Sequence, residues 1–173
     1  MIVSKRLLKK ILRDCRPGKP VGPVNNEPAV LLAFPIDKQP QTIAYRVFAP
    51  VLKDEKIRTC CLINDANPGL LNDAKSNEVI ALPATDNLQK QPLLNDDVNR
   101  QLFSYRFSAA MDLSPDFHPY TAAAVLKSGA AMRFGFRSDI SDYFYNIQIS
   151  KKNDDPIEAS YRYMLRLLQN SGN

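Results

Sequence analysis

The sequence predicts an α/β sandwich built on a mainly parallel sheet, and three observations carry that prediction. Segments rich in strand-forming residues alternate with segments of helical periodicity from Ala29 onward. The strand segments are near-continuous apolar runs, as expected of strands buried on both faces. Several helical segments also carry their own start and stop signals. A chain of 173 residues with 45% hydrophobic and 24% charged content is large enough to bury a core, which excludes the disordered and fibrous classes. The expected architecture is a Rossmann-like three-layer sandwich of five or six strands, with helices on both faces and the first strand central. A short basic amphipathic helix precedes it. Residues 1–28 read as that helix and a Pro/Gly linker, and 29–173 as a single domain.

Val3, Leu7, Leu8, Ile11 and Leu12 repeat at helical spacing, with Lys5, Arg6, Lys9, Lys10 and Arg13 between them. The run Pro17 to Pro23 breaks this helix. Ala29–Ile36 is the first buried strand, Thr42–Leu52 a helix, Lys56–Ile63 a strand, Pro68–Ala74 a helical turn or two, and Glu78–Leu82 a short strand. Leu94, Val98, Leu102 and Phe103 mark a helix within Leu93–Phe103, and Arg106–Leu113 is again strand-like. Asp116 is placed to cap the next helix, Pro119 falls in its first turn and Gly129 stops it. Met132–Phe136 and Tyr143–Ile149 are strands, in the second of which Tyr143, Phe144 and Tyr145 should alternate between core and surface. Asp155-Pro156-Ile157-Glu158 opens a last helix that buries Ile157, Tyr161, Met164, Leu165 and Leu168.

Charge is uneven. Residues 1–20 hold seven basic side chains and one acid, while the remainder holds sixteen basic and seventeen acidic residues. The basic balance thus belongs to the first helix and its linker, and no nucleic acid is expected on the globular body. A basic amphipathic helix of this kind either docks its apolar stripe on the domain or meets an acidic partner or an anionic membrane surface. No apolar run approaches the ~20 residues of a membrane helix, and the start does not read as a secretory signal. Cys15, Cys60 and Cys61 form no plausible disulfide framework, and adjacent Cys60 and Cys61 would point to opposite faces of a strand. These features imply a cytoplasmic protein. A single histidine, His118, with no CxxC pair and no glycine-rich phosphate loop, implies no metal and no cofactor.

Open α/β sheets bind ligands beyond the carboxyl ends of their strands. Asp37 follows the first strand and is the leading single candidate, against its reading as a turn-forming residue. Asp112, Ser114, Asp116 and His118 cluster after the fourth strand at the same sheet edge. Asp112 would face the crevice and His118 would reach an acceptor hydroxyl as a base, unless Ser114 and Asp116 only cap a helix. Arg133 and Arg137 flank a strand and would suit an anionic group, or pair with Asp139 or Asp142.

Three segments, in order, resemble the amino-terminal half of the lipopolysaccharide heptosyltransferases, the ninth glycosyltransferase family. They are Val30 to Ile63, then Leu70-Leu71-Asn72-Asp73-Ala74 through Glu78 to Pro83, then Phe107 to Phe136. The resemblance covers roughly residues 29–150 and implies a Rossmann-like half-domain in which Asp37 occupies the place of the family's catalytic carboxylate. The family's first loop is glycine-rich, whereas here it reads Pro35-Ile36-Asp37-Lys38-Gln39-Pro40, and the sugar-nucleotide half has no counterpart in this sequence. The expectation is a non-catalytic binding or assembly module with a protein partner. The alternatives are a glycosyltransferase-like enzyme, with Asp37 as base, completed by a partner donor-binding chain, and a peripheral membrane protein held by its first helix.

Overall fold

A computed structural model describes residues 4–15, 25–64, 78–82, 93–151 and 155–170. Val3, the linker at 17–23, the turn at 68–74 and the Leu70–Ala74 portion of the resemblance lie outside the described residues. Helix α1 (Lys5–Asp14) is followed by strand β1 (Asn25–Ala33), helix α2 (Lys38–Leu52), and strands β2 (Thr59–Asn64) and β3 (Glu78–Leu82). Helix α3 (Asp96–Phe103), strand β4 (Tyr105–Asp112), helix α4 (Pro119–Lys127) and strand β5 (Met132–Phe136) come next. A 3₁₀ turn (Ser141–Tyr143), strand β6 (Ile147–Ile149) and helix α5 (Ile157–Asn170) complete the order.

The six strands form one sheet in the order β3-β2-β1-β4-β5-β6, with every neighbouring pair parallel. This is the doubly wound order, with its reversal between β1 and β4. Two cores result, one on each face. α1, α3 and α4 cover one of them through Ile11, Val98, Leu102 and Ala122 to Val125, which meet Leu31, Cys60 and Ala110. α2 and α5 cover the other through Phe48, Val51, Tyr161 and Met164, which meet Leu32, Cys61 and Met111. Cys60 and Cys61 enter opposite cores, and burial pushes both thiols up, Cys61 to about 12.

The departures from the sequence reading have local causes. β1 begins at Asn25, inside the stretch assigned to the linker. Pro28 lacks an N–H, and the register against β4 shifts on its N-terminal side. A second shift sets Ser108 outside the ladder, and its hydroxyl donates to the Ala29 carbonyl at 3.3 Å. The extra residue sends Phe107 to one core and Ala109 to the other, where simple alternation would place them together. α2 starts at Lys38 rather than Thr42, and α4 is capped in position by His118 rather than Asp116.

The strand expected at Tyr143–Ile149 shrinks to Ile147–Ile149. Ser141 organises the preceding turn by donating to the Ser138 carbonyl and accepting from the Ser138 N–H. Of the three aromatics there, Phe144 and Tyr145 are both buried and only Tyr143 is exposed, so the expected alternation fails. Gly129 stops α4 as expected, at φ +67°, where a side chain would be strained.

α1 is docked. Ser4 caps it by accepting from the Leu7 N–H at 3.2 Å. Ile11 and Cys15 are fully buried, and Leu7, Leu8 and Leu12 pack against the same core. Among the described residues, no helix is long and apolar enough to cross a membrane.

Candidate functional site

β1 and β4 run side by side to the pair Ala33–Asp112, and the Leu113 N–H still donates to the Ala33 carbonyl at 2.9 Å. Beyond that point the chains part. Phe34 to Asp37 turn into α2 on one face, while Ser114 to His118 turn into α4 on the other. The divergence opens a cavity of about 290 Å³ lined by Pro35, Ile36, Asp37, Pro40, Ser114 to His118 and Pro119. It sits at the reversal of strand order, where open sheets of this type place their ligands.

Asp37 occupies the N-cap position of α2 in extended backbone (φ −69°, ψ 132°), but its carboxylate makes no capping hydrogen bond. It is exposed, and it stands across the cavity from His118 closely enough to act on it electrostatically. Burial lowers the His118 pKa, and the Asp37 carboxylate acts in the opposite sense. Its surroundings therefore favour the uncharged imidazole. Its ring lies 5.6 Å from that of Tyr120, and its Nδ1 is buried without a hydrogen-bond partner. Asp116 is exposed at the rim. Gln41, one turn into α2, is fully buried with neither amide atom bonded to the protein.

Asp112 does not line the cavity. It is 1% exposed and accepts three hydrogen bonds, from the Tyr145 hydroxyl at 2.6 Å, the Thr121 hydroxyl at 2.9 Å and the Ser114 N–H at 2.9 Å. Desolvation raises its pKa, while these donors pull it down. Ser114 and Thr121 lie 3.1 Å apart through their hydroxyls. Here the carboxylate ties the end of β4 to α4 and to the turn before β6. Neither Tyr145 nor Thr121 carries a local sequence signal for this role. No local pattern links residue 112 to residue 145, so only the folded sheet reveals that pairing.

The arginines stand elsewhere. Arg133 donates to the carbonyls of Phe144 at 2.9 Å and Ala130 at 3.0 Å, so its guanidinium braces the same turn. Arg137 is exposed at the end of β5, and neither arginine contributes to the cavity. Among the described residues, no three His, Cys, Asp or Glu side chains converge in a way that could hold a metal ion.

No protein-family model, curated protein or solved structure matches the chain. The chemistry of the crevice therefore rests on its own residues. Four of its ten lining residues are proline, which has no N–H to offer, and none is glycine. Pro40 and Pro119 fall within the first turns of α2 and α4, removing donors where helix N-termini would otherwise cradle an anion. The two charged residues in the lining, Asp37 and Asp116, are both acidic. Such a wall suits an apolar, neutral or cationic group better than a pyrophosphate.

Proposed function

We propose that this chain is a non-catalytic binding or assembly module whose protein partner is engaged at the crevice between β1 and β4. The observation that carries this reading is the wall of that crevice: proline-rich, acidic and about 290 Å³ in volume. Pockets for drug-sized ligands run from roughly 300 to 1,000 Å³, so a nucleoside-diphosphate sugar would find little room, and Pro40 and Pro119 withhold donors at the starts of α2 and α4. The resemblance of residues 29–150 to a heptosyltransferase half fits a half-domain retained for binding. The competing reading, an enzyme completed by a partner donor-binding chain, draws on Asp37 facing His118, whose pKa burial lowers, a pair with the makings of a general base.

Calorimetric titration with nucleoside-diphosphate sugars separates the two readings. The binding module gives no heat of binding. A micromolar Kd, lost in Asp37→Asn, would instead assign the crevice to glycosyl transfer. A photo-crosslinking residue at Asp116, on the cavity rim, should trap a protein partner in cells, whereas the same residue at Arg166, exposed on α5, should not.

A further inference from the structure

We infer that the outward face of α1 is a docking surface for an acidic protein partner, distinct from the crevice. Lys5, Arg6, Lys9 and Arg13 are all exposed. At 3.6 residues per turn they fall within an arc of roughly 100°, opposite Leu7, Leu8, Ile11 and Cys15. Among the described residues, Lys5, Arg6 and Lys9 have no carboxylate partner, and Arg13 meets only its neighbour Asp14 at 3.2 Å.

This arrangement works against the helix that carries it. Lys5 and Lys9, and Lys9 and Arg13, are like charges at i,i+4, a spacing that destabilises a helix. Lys5 and Arg6 occupy the first turn, which holds no acid, and so they sit at the end where the macrodipole disfavours cations. α3 follows the opposite rule, with Asp96 and Asp97 in its first turn and Arg100 in its last. Local electrostatics that oppose their own element mark positions set by something other than the fold. An anionic surface laid on α1 would relieve both penalties at once.

The apolar side of α1 decides between anionic surfaces. A membrane-binding helix must sink its apolar face into the acyl boundary, and here that face is occupied by the domain core. Only charge remains to bind with. A ten-residue helix presents it over ~15 Å, too short a span to neutralise many phosphates of a duplex. Outside residues 1–20 the sequence carries one more acid than base, so the rest of the body does not extend the positive surface. An acidic protein surface of matching size fits.

The test uses the full chain and a fluorescein-labelled polyglutamate peptide, followed by anisotropy. Binding should appear at low salt and fade as the Debye length falls below about 8 Å. Lys5→Glu/Lys9→Glu should weaken it by at least about tenfold, while the melting temperature stays level or rises, since the first turn gains an acid and position 9 comes to oppose Arg13 at i,i+4. Lack of peptide binding, or binding untouched by the charge reversal, would overturn the proposal. So would a reversed variant that melts earlier, or tighter binding to phosphatidylserine vesicles or duplex DNA than to the peptide.

Discussion

Gly135 lies one residue before the end of β5, and a Cβ there would overlap Cδ2 and Cε2 of Tyr145 and stand 2.6 Å from its Cγ. Contacts that close are not tolerated, and the clash reaches the root of a rigid ring, so a small twist at the tip cannot relieve it. Tyr145 is 5% exposed, and its hydroxyl is fastened to the buried Asp112 carboxylate at 2.6 Å. Gly135→Ala must therefore push the ring off Asp112. Overpacking costs about 1–3 kcal/mol, and losing a hydrogen bond to a charged group adds about 1.5–3 kcal/mol. A total near 3–5 kcal/mol follows, which at roughly 2–4 °C per kcal/mol is a fall in Tm on the order of 10 °C. Tyr145→Phe alone should cost about 1–3 kcal/mol, since the carboxylate keeps its bonds from Thr121 and Ser114. Because Gly135→Ala has already broken the Tyr145 bond, the double variant should lie close to Gly135→Ala alone. Urea denaturation of all four proteins, with m-values compared, measures this cycle. Additive losses, or a neutral Gly135→Ala, would refute the account of the Tyr145–Asp112 latch.

Two further outcomes follow from burial. Leu8→Asp places a charge against the core that holds α1 and should cost about 1–3 kcal/mol; an unchanged melting curve would mean that α1 is not docked in solution. Asp112 has a pKa raised by burial above its ordinary 3.8. Between that value and the native one the folded state holds more protons than the unfolded, so this group's contribution is fully present in acid and is lost as pH rises through the native pKa. The stability of the wild type relative to Asp112→Asn should therefore fall as pH is raised from about 4, and a difference independent of pH would contradict the assignment of burial as the cause.

Much of the fold is written in short stretches of sequence. Ala29 to Phe34 and Cys60 to Ile63 are apolar throughout because each strand is covered on both sides, and that pattern needs no distant information. The stop at Gly129 and the helix opened at Asp155-Pro156 are equally local, set by backbone conformations that particular residues favour. That Asp37 follows the first buried strand is legible locally, whereas its place beside the reversal of the sheet comes from the strand order of the folded chain. Tertiary structure decided the rest. The bulge at Ser108 depends on how β4 seats against β1, and the collapse of the Tyr143–Ile149 strand depends on Ser141 and Arg133 bonding to carbonyls several residues away. Asp112 reads as a crevice residue when considered by its strand, and it becomes a buried anchor only because Tyr145, 33 positions later, delivers a hydroxyl to it. Side chains that satisfy a buried charge are chosen by proximity in the folded chain, and periodicity along the sequence carries no trace of that choice.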